Sequence, residues 1–398
     1  MTVENPDPYR WTMLLVSWLI TFTAALCINC YSPLLNEMRE SLSMSYSEAA
    51  LPMSLAILTS SSFQVVAGVL TTRIGTRKTL LIGSTVIATS QLLAAMASTF
   101  ALEAASRLFV GLGAGMTLLC AVGLLAVWFP PRELARVMGI QATGWAVGSV
   151  VGFLTPLPLE AAFMMDWRGP FLIFGVLAVA VTLILLVLAK EKSSTQVPER
   201  SERPSLAELA KIKELWTVTI GQFGAMAAIT IFMTWLPAIL IESGWLPTVA
   251  ATISTMLPLV GVIGNLAGGA LSDRLGRRKP IILITGILGA LSYALFIFVI
   301  QTPIVWIVAA ATGWFMYFYI GPLLSVLPGI PEIGPSRSGA AWGMVMTVCS
   351  VAGFISPILM GQIRMVTGSY TLGFVVAAAF GAMLVVPGVF GRETGRKG

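Results

Sequence analysis

The chain contains no histidine at all. That absence removes imidazole metal ligands, histidine-based nucleophile triads and histidine proton relays in one step. Cysteine is scarce, with four in 398 residues, and only Cys27 and Cys30 fall into a C-x-x-C, inside an apolar helical pattern. Thiols in that setting read as small packing residues, so no disulfide framework, metal site or cofactor is expected. Charge is scarce as well. Asp, Glu, Lys and Arg supply 11% of the residues, against about 25% in soluble domains. No catalytic constellation stands out among so few polar groups, and the expectation is a protein that is not an enzyme.

What is present is apolar: 57% of the chain is hydrophobic, more than a water-soluble fold can hide, so lipid is the expected solvent. A bilayer core of about 30 Å takes about 20 residues of apolar helix. Windows of that length fall near Trp11–Tyr31, Ser47–Leu70, Thr79–Ser98, Leu102–Trp128, Ala135–Leu157 and Gly169–Ala189 in the first half. The second half offers Leu215–Leu240, Val249–Ser272, Pro280–Gln301, Pro303–Leu327, Ser338–Gln362 and Tyr370–Phe390. The fold class expected is an all-α polytopic membrane protein with twelve transmembrane helices. Met1–Arg10 is short and polar and has no signal-peptide layout ahead of the first span.

The net charge of +6 invites a nucleic-acid reading, but its placement speaks for topology. With the N-terminus cytoplasmic, Arg10, Arg73, Arg77, Lys78, Arg132, Arg136, the basic residues of 190–213, Arg274, Arg277, Arg278, Lys279, Arg337, Arg392, Arg396 and Lys397 all fall inside. Only Arg39, Arg168 and Arg364 fall outside. Positive residues collect on the cytoplasmic side. Both termini are therefore expected in the cytoplasm of a multi-pass protein of the plasma (inner) membrane, with no nucleic-acid partner.

Residues 191–213 form the longest polar stretch and separate two halves, 1–190 and 214–398. Ser205 with Glu208 reads as a capping box opening a short amphipathic helix there. The halves share a register. At an offset of 201 residues, Gly68-Val-Leu-Thr-Thr-Arg-Ile-Gly-Thr-Arg-Lys78 matches Gly269-Ala-Leu-Ser-Asp-Arg-Leu-Gly-Arg-Arg-Lys279, Arg136 matches Arg337, and Gly152-Phe-Leu-Thr-Pro156 matches Gly353-Phe-Ile-Ser-Pro357. Two six-helix pseudo-repeats of like orientation are the plan of one large class of secondary transporters.

The loop at Gly269–Lys279 resembles the signature of the major facilitator superfamily, found after its second and eighth spans, and Arg107-Leu-Phe-x-Gly-Leu-Gly-Ala-Gly115 resembles that superfamily's fourth-span motif. The resemblance implies the major facilitator fold and transport by rocker-switch alternating access. Gly75 and Gly276 suit tight turns, and Asp273, at a helix C-terminus that disfavours a carboxylate, needs a cation nearby. The resemblance makes Asp273, Arg274, Arg136, Arg73, Arg337, Gly75 and Gly276 gating residues, with Asp273 latching to Arg136. Thr72 stands where the first repeat lacks the acid. The alternative is that these charges only set topology. Gly144, Gly148 and Gly152 recur every fourth residue, which suits close helix packing.

Arg107 is the one cation expected inside the membrane, where a charge is costly. It lies one turn beyond Glu103. Two readings stay open: contact with a permeant anion or gate, and a structural pair with Glu103 and backbone carbonyls. Spans one, four, seven and ten line the cavity by resemblance. Together with polar residues of neighbouring spans they give the candidate substrate-binding set Arg107, Asn29, Tyr31, Gln64, Trp145, Gln222, Trp235, Asn265 and Tyr317.

Tyr31–Glu40 and Ser45–Ala50 are similar to the first outer loop of cyanate and 2-nitroimidazole porters. The function expected is secondary active or facilitative transport of a small solute, a monoanion or weak organic acid. The alternative is export of amphipathic drugs or other hydrophobic compounds. A sensor is disfavoured by the lack of a soluble domain. Expected partners are the solute, a co- or counter-transported ion and the lipid bilayer, with the monomer as functional unit.

Overall fold

The computed structural model describes residues 8–191 and 206–395. Lys192, Arg200, Arg203, Ser205 of the expected capping box, Arg396 and Lys397 lie outside the described residues, as does the side chain of Thr72. Twelve helices among the described residues are long and apolar enough to cross a membrane. Spans 1 to 6 are Arg10–Ser41, Tyr46–Thr71, Thr76–Ala95, Phe100–Trp128, Arg136–Leu154 and Arg168–Leu188. Spans 7 to 12 are Lys213–Glu242, Pro247–Leu275, Lys279–Val299, Val305–Gly329, Arg337–Thr367 and Thr371–Phe390. Hydropathy located every one, because in lipid a helix must satisfy its own backbone and so runs the width of the apolar layer.

The differences are at the ends. Span 1 continues ten residues past Tyr31 to Ser41, since Cys30 keeps helical torsions and lets a second helical stretch, Tyr31–Ser41, follow the first. Span 5 stops at Leu154, and Pro156 opens a separate short helix, Pro156–Phe163, because a proline is tolerated at the first position of a helix. Its register mate Pro357 sits instead inside one continuous helix, Gly334–Thr367. There span 7 grips span 11 on either side: Thr230 and Ser356 share a hydroxyl hydrogen bond of 2.7 Å, and Trp235 Nε1 donates to the Pro357 carbonyl at 2.9 Å. Ser45 opens span 2 with a reciprocal capping box: its N–H reaches Glu48 Oε2 at 2.8 Å, and the Glu48 N–H returns to Ser45 Oγ at 3.3 Å.

Contacts divide the chain into two units, Met1–Glu37 with Leu55–Glu199, and Met38–Ser54 with Arg200–Gly398. The segment Met38–Ser54 therefore groups with the second unit, where the half-chain boundary of the sequence puts it in the first. The same pairings recur in each unit. Span 1 packs on span 5 as span 7 packs on span 11, and span 3 packs on span 6 as span 9 packs on span 12. The glycine row of span 5 lies directly against span 1. A Cβ on Gly148 would come within 2.3 Å of the Phe22 carbonyl, so the two backbones touch where a side chain would hold them apart.

Both loop-motif glycines take a positive φ, 91° at Gly75 and 65° at Gly276, which an L side chain adopts only under strain. Beside each turn sits a carboxylate from the end of its own repeat. Glu191 accepts from the N–H groups of Thr76 and Arg77 at 2.9 and 2.8 Å. Glu393 accepts from Arg278 and Lys279 at 2.9 and 3.2 Å, and from its own neighbours Thr394 and Gly395. Each acid thus occupies the N-terminus of the helix after the loop, where four N–H groups lack intrahelical partners and the dipole favours negative charge.

Candidate functional site

In unit one, span 4 begins at Phe100 with Thr99 as its cap, the Thr99 hydroxyl accepting from the Leu102 N–H. One turn of helix then sets Glu103 and Arg107 on the same face. Both are sealed inside the protein, at 0% and 1% exposure. Arg107 Nε donates to Glu103 Oε1 at 2.8 Å, Nη1 to the Cys27 carbonyl at 2.9 Å, and Nη2 to Gln91 Oε1 at 3.3 Å. Glu103 accepts a further bond from Ser106 Oγ at 3.2 Å. The guanidinium lies 4.6 Å from the centre of the Phe171 ring and 5.6 Å from that of Tyr31, a geometry in which the ring faces attract the cation. Among the described residues, these two are the only charged side chains buried in the protein.

Sequence reasoning set Arg107 inside the membrane one turn beyond Glu103 but did not say what encloses the pair. Spans 1 and 3 and the Phe171 ring enclose it. It also overlooked Gln91, the residue that closes the ring of contacts: its amide nitrogen donates to the same Cys27 carbonyl at 2.8 Å. An amide within an apolar span was the available signal. That signal singled out Gln64, which is exposed.

The other candidates spread over both units. In unit one, Tyr31 borders Arg107, while Asn29 is buried with its amide nitrogen on the Ala25 carbonyl and Ser149 Oγ; Trp145 is half-buried. In unit two, Trp235 is fully buried and committed to Pro357. The Tyr317 ring packs on Gly261, 2.3 Å from where a Cβ would sit, and Asn265 lies close to Gly321. Gln222 is half-buried beside Tyr319. Arg73, Arg136, Asp273 and Arg274 are exposed. Arg337 pairs loosely, at 3.8 Å, with Glu208 of the short helix Leu206–Leu209.

Three further clusters carry titratable groups. In unit two, Glu242 at the end of span 7 binds Arg364 of span 11 at 3.1 Å and accepts from the hydroxyls of Tyr370 and Tyr46 at 3.0 and 3.4 Å. The Arg364 guanidinium stands over both tyrosine rings, 5.1 and 4.9 Å from their centres. A cavity of about 360 Å³ opens beside Glu242, Arg364 and Tyr370. In unit one, burial and the neighbouring carboxylates of Glu37 and Asp166 push the Glu160 carboxyl up to about 8. Near the termini of unit two, burial raises the Glu393 carboxyl, but the N–H groups it accepts from outweigh that and hold it below the usual carboxylate range.

Twelve spans in two repeating sets, with Glu103 and Arg107 the one buried ion pair among the described residues, make this a multi-pass integral membrane protein laid out as a transporter. The chain belongs to the Major Facilitator Superfamily, whose model matches residues 17–357. It is similar to a probable sulfoacetate transporter of Cupriavidus necator, 24% identical with 92% of this chain and 89% of that protein covered. It is also similar to a hexuronate transporter of Bacillus subtilis, 22% identical with 87% of each chain covered. Among solved structures, a bacterial homologue of the human lysosomal transporter Spinster, in its inward-facing occupied form, superposes with a TM-score of 0.80. That match has 16% identity and covers 96% of each chain, a likeness of fold.

Proposed function

We propose that the chain carries a small organic monoanion across the bilayer by alternating access of the rocker-switch type, with both termini on the cytoplasmic side of an inner membrane. The observation that carries this reading is Arg107. A guanidinium is a fork suited to carboxylate geometry, and this one is desolvated and balanced by one acid, Glu103. An entering carboxylate is the electrical equivalent of that partner and can take its place without leaving a buried charge unpaired. One cation suits one negative charge. The relatives named as a hexuronate transporter and a probable sulfoacetate transporter support an organic acid, and the resemblance of Tyr31–Glu40 and Ser45–Ala50 to cyanate and 2-nitroimidazole porters suits a small, singly charged solute. Tyr31 contributes its ring to the same enclosure. In this reading Asp273 governs closure at the charged-loop side, and its replacement by Asn slows turnover more than it weakens binding.

The test is uptake of two labelled monoanions, propionate and glucuronate, into proteoliposomes with and without a pH gradient. Accumulation of at least one, lost in Arg107→Gln, is the expected result. Transport of hydrophobic organic cations with neither anion moving would replace the reading by export of amphipathic compounds.

A further inference from the structure

The cavity of about 360 Å³ beside Glu242 lies wholly within unit two and has no part in the transport reading. It sits at the ends of spans 7, 9 and 11 and the start of span 12, opposite the charged loop at Gly276. Its lining is of two kinds. Glu242, Arg364 and Tyr370 are polar, while Ile297, Phe298 and Phe374 are apolar.

The polar part carries one charge of each sign, and both have hydrogen-bonding capacity to spare. Glu242 Oε1 takes the Tyr370 hydroxyl at 3.0 Å, and a carboxylate oxygen has room for a second donor. The Arg364 fork carries five N–H groups, more than Glu242, Tyr370 and the Gly368 carbonyl take up. Arg39, over the Tyr46 ring, has its own acid in Glu40 at 3.5 Å. The surroundings are therefore balanced. A ligand bearing net charge would leave that charge unmatched in a partly buried site, which is costly.

Span 9 adds an apolar track. Ile284, Leu288, Leu291, Leu295 and Phe298 are all exposed. They recur every three or four residues, so they form one stripe along the helix. The stripe ends at Phe298, which is 77% exposed and also lines the cavity. A polar cavity at the head of an exposed apolar stripe suits an amphiphile.

We propose that this cavity binds the head group of a phospholipid with a primary amine, phosphatidylethanolamine. Its phosphate meets Arg364, its ammonium meets Glu242, and an acyl chain runs along span 9. A guanidinium fork matches phosphate oxygens. The ammonium brings N–H donors to Glu242 where a choline group has none, and a glycerol head group leaves the phosphate charge unbalanced. In the orientation proposed above, the lipid belongs to the outer leaflet. The inference is independent of which solute the chain carries.

The test mixes the purified full chain in detergent with equal amounts of phosphatidylethanolamine, phosphatidylcholine and phosphatidylglycerol of the same acyl chains. Native mass spectrometry then reads which lipid is retained. The expected result is an ethanolamine lipid retained about tenfold over each of the others, the worth of one hydrogen bond to a charged group. Arg364→Gln should abolish that preference. Since this change also removes a contact of Met38–Ser54, Thr371→Trp serves as the second variant. It keeps the ion pair, fills the cavity from the start of span 12, and should abolish the preference as well. Equal retention of the three lipids by wild type, or preference for another of them, overturns the proposal. A preference that survives in Thr371→Trp does so too. Displacement of the lipid by phosphoethanolamine at equal concentration also overturns it, because the site is then one for a soluble aminoalkyl phosphate.

Discussion

At the scale of single residues, the buried pair sets the terms. Glu103 and Arg107 are each tolerable only because of the other, since an isolated charge in an apolar interior costs far more than a paired one. Glu103→Gln leaves Arg107 with neutral acceptors alone, and Arg107→Met leaves Glu103 with Ser106. Each single change is expected to destabilise by about 3–5 kcal/mol, while the double change to Gln and Met recovers much of the loss. Thermal unfolding of the four proteins in detergent checks this, and simple additivity of the two losses would refute it. The pair was legible in the sequence because its spacing is a property of one helix. Gln91 was not, because it meets Arg107 from another span, and no local pattern says which of several amides will turn inward. Gln64 satisfied the same rule of thumb and points out.

At the scale of elements, hydropathy located the spans and left their joints unread. Glu191 and Glu393 sit in polar tails that look like topology signals, and the separation of 202 residues between them, one more than the offset of the loop motifs, hides their equivalence. The structure gives them one task, to bind the N–H groups that open spans 3 and 9. Removing a helix cap costs about 0.5–2 kcal/mol, and Glu393→Ala is expected to lose that much near neutral pH. The pH dependence has a definite sign. The Glu393 carboxyl is lowered in the folded protein from an ordinary value of 4.5. Its contribution is therefore fully present above that value and disappears as pH falls through the folded one. Unfolding curves taken from about pH 7 down to about pH 3 should converge for wild type and Glu393→Ala at the acid end. A constant gap across that range would mean that the carboxylate charge has no part in the cap.

At the scale of the whole molecule, a count of six helices and six helices misses where one segment belongs. Met38–Ser54 is in the first half by sequence and in the second unit by contact, and the reason is a small set of long-range interactions. Tyr46 reaches Glu242 through its hydroxyl and Arg364 through its ring, while Arg39 covers the same ring at 4.4 Å. The Tyr46 carbonyl lies 2.5 Å from where a Cβ on Gly361 would stand, so the segment is seated on the backbone of span 11. Glu242 is the hub, since it holds both Arg364 and the two tyrosine hydroxyls. Partly buried, with 19% of its side chain exposed, it should be worth more than a surface ion pair and less than the sealed one at Arg107. Glu242→Ala is therefore expected to free the segment locally without unfolding either unit. In hydrogen exchange, amides of Met38–Ser54 should exchange roughly tenfold faster, the factor that corresponds to about 1.4 kcal/mol of lost local stability. Amides of spans 3 to 6 should keep their protection. Protection unchanged in the segment would mean that the apolar seat on span 11 holds it without the ion pair, and uniform loss across both units would mean that Glu242 supports the fold as a whole.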